Sequence, residues 1–243
     1  MNTPMSPTPP VAQPVRLLIV DDDPLVRAGL TLMLGGADDI DIVGEGADGH
    51  EVAALIDRLR PDVVLMDIRM PGMDGLTATE ELRRRPSAPE VVVLTTFHAD
   101  EQVLRAIRAG AAGFVLKDTP PAQIVESVRR VAAGDPVLSP AVTRQLMKRA
   151  AGGAPDDRGS RADRARRRFD DLAEREREVA LAVGSGGSNA EIAGSLYLSV
   201  ATVKTHVSRI LAKLDLNNRV QIALLVHDAG LLDENGGDGV GIR

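Results

Sequence analysis

The sequence predicts an α/β domain with a five-stranded, doubly wound parallel sheet, followed by a small all-α domain. The length of 243 residues corresponds to roughly one and a half to two domains of about 150 residues each. Between Arg16 and Ala133, short apolar runs alternate with segments of helical period, which is the pattern of a parallel sheet covered on both faces. From Asp170 onward the pattern is helical and no strand signal is visible.

Five apolar runs are the predicted strands, because each is continuous in the way that a strand buried on both faces requires. They are residues 17–20, 40–43, 63–66, 91–94 and 113–116. Between them, apolar side chains recur at helical spacing, and we expect these stripes to face the sheet. The stripes are Val26, Leu30, Met33 and Leu34; Val52, Leu55, Ile56 and Leu59; and Ile124, Val128, Val131 and Ala132.

Changes in composition predict the domain boundaries. Residues 1–14 are rich in proline and are expected to be disordered, and residues 15–133 form the α/β domain. Residues 134–169 combine glycines with nine basic side chains, which indicates a flexible basic linker with a short helix at 141–150. The helical domain is expected at 170–232, followed by a disordered tail at 233–243.

Composition excludes several classes of protein. The absence of cysteine rules out a disulfide scaffold, thiolate zinc sites and cysteine nucleophiles. The proline-rich start is not a signal peptide, and no apolar run approaches the roughly 18 residues of a membrane span, so we expect a cytoplasmic protein. The net charge of −6 is an average, since residues 1–135 carry 13 basic and 21 acidic side chains whereas residues 136–169 carry 9 and 3. It is therefore no argument against nucleic acid.

Polar residues follow the predicted strands where ligands bind in an open parallel sheet. Asp21, Asp22 and Asp67 follow the first and third strands, Thr95 follows the fourth and Lys117 the fifth. If the strand order is 2-1-3-4-5, the three carboxylates converge, and their repulsion requires a cation, for which Mg²⁺ is suited. A hydroxyl and an ammonium beside them are what a phosphoryl group needs.

These residues allow three other interpretations. A single acidic residue at a strand end is as often a solvated loop residue as a ligand. Five polar residues at such positions together argue against the solvated-loop interpretation. Nucleotide binding fits poorly because Asp-Asp-Asp-Pro, and not a glycine-rich loop, follows the first strand. An aspartyl phosphohydrolase would normally place a second Asp two positions after the nucleophile as general acid, and Arg69 stands there instead.

The C-terminal part predicts two helices joined by a tight turn. Ser188 and Glu191 match a capping box, and Ser199 is the expected cap of a second helix. The core stripe of that helix is Val203, Val207, Ile210, Leu211 and Leu214, and its opposite face is Ala201, Thr205, Ser208, Arg209 and Ala212. Small and hydrogen-bonding side chains there favour entry into a DNA major groove. A packed helical hairpin with a solvated basic face is the alternative.

The motifs of the first domain resemble the receiver domain of two-component response regulators. They are Asp21-Asp22-Asp23-Pro24, Met66 to Gly75, Thr95-Thr96 and Gly113 to Asp118. The resemblance implies the strand order 2-1-3-4-5 and phosphorylation of Asp67 by a sensor histidine kinase. It also implies that Mg²⁺ is bound by Asp22, Asp67 and the backbone carbonyl of Arg69, with Asp21 assisting. Catalytic roles follow for Asp67, Thr95 and Lys117, and switch roles for Thr95 and Phe114.

The second domain closely resembles the LuxR-type helix-turn-helix, in the segments 172–179, 188–193 and 198–214, so that the whole chain is similar to response regulators of the NarL/FixJ class. This resemblance implies base contacts from Lys204, Thr205 and Ser208, and phosphate contacts from Asn189, Thr202 and Arg209. His206 and Lys213 complete the expected DNA-binding set. The final helix is expected to dimerise through Val220, Ala223, Leu224 and His227.

The resulting hypothesis is a transcriptional regulator, and not an enzyme, that binds promoter DNA as a homodimer when Asp67 is phosphorylated. RNA polymerase is a partner implied by the family alone. Two alternatives stay open besides the phosphohydrolase: an orphan regulator that binds DNA without phosphorylation, and a protein-interaction receiver whose helical tail never meets DNA.

Overall fold

The computed structural model of the chain describes residues 13–85, 88–95, 100–138 and 155–232. It contains an N-terminal α/β domain and a C-terminal helical domain, as the alternation of apolar runs predicts. The predicted disordered tail, the predicted helix at 141–150 and nearly all of the proline-rich N-terminus lie outside the described residues.

The N-terminal domain is built on one parallel sheet with the order β2-β1-β3-β4-β5-β6. Its strands are β1 (Val15–Val20), β2 (Ile40–Gly46), β3 (Val63–Asp67), β4 (Glu90–Thr95), β5 (Gly113–Leu116) and β6 (Val137–Leu138). The predicted five strands and their order are confirmed. The two-residue strand β6 pairs with the start of β5 and lies within the predicted linker, where so short an apolar pair gives no pattern.

Five helices cover the two faces of the sheet: α1 (Pro24–Leu34), α2 (Gly49–Leu59), α3 (Gly75–Arg83), α4 (Asp100–Ala109) and α5 (Pro121–Ala132). Asp23, Asp48 and Asp74 cap the first three, each accepting a backbone N–H bond of the first turn. Met33 does not face the sheet as expected and is 51% exposed. It lies about 80° around the helix from the midpoint of the buried Leu30 and Leu34.

The C-terminal domain is a helical body with its own apolar core. Its helices are α6 (Pro155–Asp170), α7 (Glu174–Gly184), α8 (Asn189–Ser195), α9 (Val200–Lys213) and α10 (Arg219–Asp228). The predicted capping box at Ser188 and Glu191 is present, and Ser199 accepts from the Thr202 amide. Val203, Ile210 and Leu214 are buried in the core as predicted.

Helix α6 differs from the flexible linker that the sequence suggests. Ala165 and Phe169, near its end, are buried in the core of the C-terminal domain. The segment is strongly basic, so its few apolar residues give a weak pattern, and only packing against α10 reveals their role. Ala165 and Phe169 therefore belong to the apolar core of the C-terminal domain, although they precede its predicted boundary at 170.

The described part of the chain contains no helix that is both long and apolar enough to span a bilayer.

Candidate functional sites

Three carboxylates meet at the carboxyl edge of the sheet, at the ends of β1 and β3. One oxygen of each of Asp21, Asp22 and Asp67 lies within 4.8 Å of the others. Asp21 is fully buried and Asp67 nearly so, whereas Asp22 is exposed. The parallel pairing of β1 with β3 brings these strand ends together, as the sequence predicts. We call Asp21, Asp22 and Asp67 the carboxylate cluster.

Lys117, at the end of β5, supplies the positive charge that faces the cluster. Its Nζ lies 2.5 Å from Asp21 Oδ2 and 3.2 Å from Asp67 Oδ2. Burial raises the pKa of the Asp67 carboxyl above its ordinary value; the Lys117 charge opposes that rise and the Asp21 charge adds to it. Burial alone would lower the pKa of Lys117, but its hydrogen bond to Asp21 and the two carboxylate charges raise it overall. Lys117 therefore remains an ammonium.

The remaining predicted receiver residues lie on β4, on β5 and in the loop after β3. Thr95 is buried at the end of β4, and the Lys117 amide donates to its carbonyl. Phe114 is buried in the apolar core between the sheet and α4. Arg69 is exposed two residues after Asp67. The roles of these three residues stay predictions.

Asp48 is a residue of this region that the sequence interpretation missed. Its carboxylate accepts from the His50 amide at 2.8 Å and from the Met73 amide at 3.3 Å, so it ties α2 to the loop beside Asp67. These bonds, with His50 as the largest contributor, lower its pKa to about 2. A side chain on Gly72 would collide with it, since a Cβ there would lie 2.0 Å from Asp48 Oδ2. The only sequence signal for Asp48 is its position at the expected start of a helix, two residues before His50.

Helix α3 begins close to the end of β3, and a glycine makes this possible. A Cβ on Gly75 would lie 1.9 Å from the Asp67 carbonyl oxygen. Its amide donates to the Ile68 carbonyl at 3.0 Å. Gly75 thereby fixes the backbone that follows Asp67.

The carboxylate cluster has the chemistry of a magnesium site. Carboxylate and backbone carbonyl oxygens are the ligands that Mg²⁺ prefers, and the exposed Asp22 leaves room for water. The burial of Asp67 and its proximity to Asp21 make a further positive charge favourable there. The residues present therefore fit a divalent cation.

Helix α9 of the C-terminal domain exposes the polar side that the sequence predicts. Ala201, Thr205, Ser208, Arg209 and Ala212 are all exposed, and we call this set the recognition face. Among the residues that the structure describes, the hydroxyls of Thr205 and Ser208 bond only to carbonyls of their own helix, at 3.0 Å each. These side chains are therefore available for an external partner.

The other predicted DNA contacts are less open. The Thr202 hydroxyl lies 2.8 Å from that of Ser199, and Lys213 Nζ lies 3.2 Å from Glu176 Oε2. His206 is half-buried, and its Nδ1 is buried with no hydrogen-bond partner among the described residues. Of these contacts, the Lys213–Glu176 ion pair joins α9 to α7 of its own domain.

Asn189 and Lys204 both contact the N-terminal domain, although Lys204 stays exposed. Asn189 is buried, and its side-chain amide donates to the Ala133 carbonyl at 2.8 Å. Lys204 Nζ donates to the Ala132 carbonyl at 3.3 Å. Both acceptors lie at the end of α5. One edge of the predicted DNA-binding surface is therefore covered by the other domain.

Helix α10 contributes most of the remaining contacts between the domains. Asn218 Nδ2 donates to the carbonyls of Ile107 and Ala111 at 2.9 and 2.8 Å, and Gln221 Nε2 donates to Ile107 at 2.9 Å. Val220 packs into the apolar cluster beneath α4. The predicted dimerisation residues Val220, Ala223, Leu224 and His227 line one side of a cavity of about 500 Å³ between the domains. They thus share one surface, which here faces the N-terminal domain.

Comparison with known families identifies both domains. The family described as "Response regulator receiver domain" matches residues 17–129, which contain the carboxylate cluster and Lys117. The family described as "Bacterial regulatory proteins, luxR family" matches residues 170–226, which contain α9. The chain belongs to the LuxR-type response regulators. It is a DNA-binding transcriptional response regulator of a two-component system.

Relatives from this response-regulator family match the chain over nearly their whole length. The chain is 37% identical over 213 residues to the transcriptional regulatory protein LiaR of Bacillus subtilis (strain 168), covering 88% of this chain and 97% of the relative. It is 35% identical over 218 residues to the response regulator protein VraR of Staphylococcus aureus (strain NCTC 8325 / PS 47), covering 90% and 99%. A solved LuxR-family response regulator from Aurantimonas sp. SI85-9A1 is similar with a TM-score of 0.54 and 30% identity, over 57% of this chain and 99% of that one.

Proposed function

We propose that this response regulator is switched on by phosphorylation of Asp67 from a sensor histidine kinase, and that it then pairs on promoter half-sites. The observation that carries the proposal is the meeting of Asp67 with Asp21, Asp22, Lys117 and Thr95 at one sheet edge. Receiver domains bind Mg²⁺ at such an acidic pocket, and response regulators work with histidine kinases and DNA.

The proposed chemistry is a phosphoryl transfer to a carboxylate. An Asp67 oxygen attacks phosphorus, the P–N bond of the kinase phosphohistidine breaks, and its electron pair returns to the imidazole nitrogen. Mg²⁺ would be held by Asp21, Asp22, Asp67 and the Arg69 carbonyl, and would supply neutralisation of the phosphoryl charge. Lys117 and Thr95 would contact the phosphoryl oxygens.

The proposed switch uses the elements that follow Thr95 and Lys117. A phosphoryl group adds about −1.5 to −2 charges and new acceptors, which would draw the ends of β4 and β5 toward Asp67, with Phe114 of β5 as the switch aromatic. Helices α4 and α5 follow these strands, and both carry the carbonyls to which the DNA-binding domain is bonded. Their displacement would weaken the contacts between the domains and release α9.

The released domain would read DNA with the recognition face. Lys204, Thr205 and Ser208 would contact bases, while Asn189, Thr202 and Arg209 would contact phosphates, with His206 and Lys213 beside them. Val220, Ala223, Leu224 and His227 would pair two protomers, which raises affinity through two linked half-sites. Contact with RNA polymerase would follow at the promoter.

The direct test is labelling of the full chain by an acyl phosphate with Mg²⁺, followed by anisotropy measurements on DNA selected from a random pool. We expect Asp67→Asn to abolish labelling and to leave DNA affinity at the unphosphorylated level. Labelling of the variant at the wild-type level would overturn the assignment of Asp67. Equal DNA affinity before and after labelling would favour the orphan regulator.

Two further outcomes address the remaining alternatives. Loss of salt-dependent DNA binding in every state would favour a receiver that acts only on proteins. Steady turnover of a phosphate ester would favour an aspartyl phosphohydrolase, although the exposed Arg69 cannot protonate a leaving group.

A further inference from the structure

Arg27 of α1 bonds to the backbone of the carboxylate cluster, although it is not among the site residues that the sequence predicts. Its Nη1 donates to the Asp21 carbonyl at 2.7 Å, and its Nε donates to Glu45 Oε2 at 3.2 Å. The Arg27 side chain is 18% exposed, so protein atoms surround most of it. The planar guanidinium makes both bonds at once because its donors form a fixed fork. Arg27 therefore joins the end of β1 to β2.

A shift in strand register places the acidic partner of this guanidinium on the correct face of the sheet. Between Leu17 and Leu18, the pairing of β1 with β2 shifts by one residue, so that β2 contains one extra residue. Glu45 consequently pairs with Ile19, whose side chain lies in the apolar core under α1. Without the shift it would pair with Val20, whose side chain lies in the opposite core beside α2.

Thr31 fixes the same carboxylate from a second position on α1. It follows Arg27 by four residues, so both side chains lie on one side of the helix. The Thr31 hydroxyl donates to Glu45 Oε1 at 2.9 Å, whereas Arg27 bonds to Oε2. Both oxygens of Glu45 are thus held, although its side chain is 41% exposed. We call Arg27, Thr31 and Glu45 the α1–β2 clamp.

The α1–β2 clamp fixes the peptide that joins two members of the carboxylate cluster. The Asp21 amide donates to the Gly46 carbonyl at 3.1 Å and the Asp21 carbonyl accepts from Arg27, so the backbone is bonded on both sides. Because a peptide unit is planar, the direction of the Asp21 carbonyl fixes the amide and Cα of Asp22. The Asp22 side chain is exposed, so the backbone from which it departs sets its direction. The clamp thereby orients Asp22 relative to Asp67.

The charge of Arg27 acts against the role that its geometry supports. A guanidinium beside a cation site repels Mg²⁺, so charge alone would favour a neutral residue at this position. Loss of the charge should therefore strengthen Mg²⁺ binding, whereas loss of the bond to the Asp21 carbonyl should weaken it. Because the two effects have opposite signs, a measurement of Mg²⁺ affinity separates them.

We propose that Arg27 is a positioning residue of the magnesium site, which holds the Asp21 carbonyl and so presents Asp22 to the ion together with Asp67. Arg27 acts through the peptide between Asp21 and Asp22 and contacts neither the ion nor the phosphoryl group. Second-shell partners of this kind orient the ligands of many metal sites. This inference rests on the proposed function, because the carboxylate cluster must bind Mg²⁺.

The test measures Mg²⁺ binding to the full chain by titration calorimetry, with no phosphoryl donor present. Arg16→Met is the matched control, because Arg16 also donates to backbone carbonyls, those of Leu59 and Arg60, and pairs with Asp41 at the opposite end of β1. We expect Arg27→Met to bind Mg²⁺ about 10-fold more weakly than wild type. Arg16→Met should stay within about 2-fold, because its charge is distant and screened.

Two further measurements distinguish positioning from a general defect. Arg27→Lys keeps the charge but cannot bond to the Asp21 carbonyl and Glu45 together, and it should bind Mg²⁺ about 3-fold more weakly than wild type. In labelling by an acyl phosphate, Arg27→Met should need about 10-fold more Mg²⁺ for half-saturation. Its rate at saturating Mg²⁺ should change by less than about 2-fold, because an excess of the ion fills the weakened site. Thermal unfolding checks that each variant is folded.

Four outcomes would overturn the proposal. They are unchanged or tighter Mg²⁺ binding by folded Arg27→Met, an equal loss in Arg16→Met, wild-type affinity in Arg27→Lys, and a lower labelling rate with an unchanged Mg²⁺ requirement. Mg²⁺ binding by wild type with no loss in Arg27→Met would refute this inference and leave the proposed magnesium site standing. Absence of Mg²⁺ binding in the wild-type chain would refute both.

Discussion

The carboxylate cluster with Lys117 and the recognition face illustrate two ways of building a candidate functional site. At the first, Asp21 and Asp67 are buried and Lys117 lies within 2.5 and 3.2 Å of them. At the second, Thr205 and Ser208 are exposed and, in the described part of the chain, bond only within their helix. Burial makes the first site depend on charge balance, so that its substitutions alter stability and chemistry together. At the exposed face the two effects are separable.

The largest effect is expected for Lys117→Met, which removes the cation from the buried pair. Two carboxylates would then share the site without a counter-charge, and we expect the free energy of unfolding to fall by about 3 kcal/mol. Urea denaturation in the presence of a chelator measures this. Mg²⁺ should restore part of the loss, because it can replace the ammonium.

Arg129→Met is the matched control for that variant. Its ion pair with Asp39 has side chains 42% and 53% exposed, so its loss should cost less than about 1 kcal/mol. An equal effect of the two substitutions would show that burial does not distinguish the Lys117 ion pairs of the carboxylate cluster from the exposed Arg129–Asp39 pair.

The next effect concerns the recognition face. Thr205→Ala should weaken binding to the selected DNA about 10-fold, which is about 1.4 kcal/mol, while changing stability by less than about 0.5 kcal/mol. Anisotropy titration and urea denaturation test the two parts. Thr31→Ala, which deletes an exposed hydroxyl bonded to Glu45 in the receiver, is the control. A parallel loss of stability in Thr205→Ala would contradict the separation of the two effects.

A smaller effect is expected at the start of α8. Ser188 accepts from the Glu191 amide and its own amide donates to the Glu191 carboxylate, so Ser188→Ala should cost about 1 kcal/mol of stability. Ser195→Ala removes a hydroxyl that bonds only to the Ile192 carbonyl, and it should be nearly neutral. Equal stabilities of the two variants in urea would refute the role of the capping box.

The smallest effect is expected at Asp48. Its folded pKa of about 2 lies below the unfolded value of about 3.9, so its stabilising contribution is present above that value and is lost as pH falls toward 2. Wild type should therefore exceed Asp48→Asn in Tm at pH 7, and the gap should close between about pH 4 and pH 2. A gap that is independent of pH would assign the difference to packing instead.

Individual residues show which features the local sequence predicts and which it does not. The strands were predictable because doubly buried strands are continuous apolar runs. The carboxylate cluster and its partner Lys117 were predictable because Asp21, Asp67 and Lys117 directly follow such runs. Asp48 was missed because its contact with Met73 spans 25 residues. Helix α6 was missed because Ala165 and Phe169 are isolated among charges.

The sequence by itself determined the two domains, the strand-end residues of the receiver and the polar side of α9, because periodicity and capping act over a few neighbouring residues. Only the tertiary structure decided that Asn189 and Lys204 face the carboxyl end of α5 and that Val220 is buried beneath α4. Such contacts join positions 54 to 114 residues apart, and their partners are mostly backbone carbonyls. Every residue has a carbonyl, so no side-chain pattern reveals which of them a distant asparagine will meet.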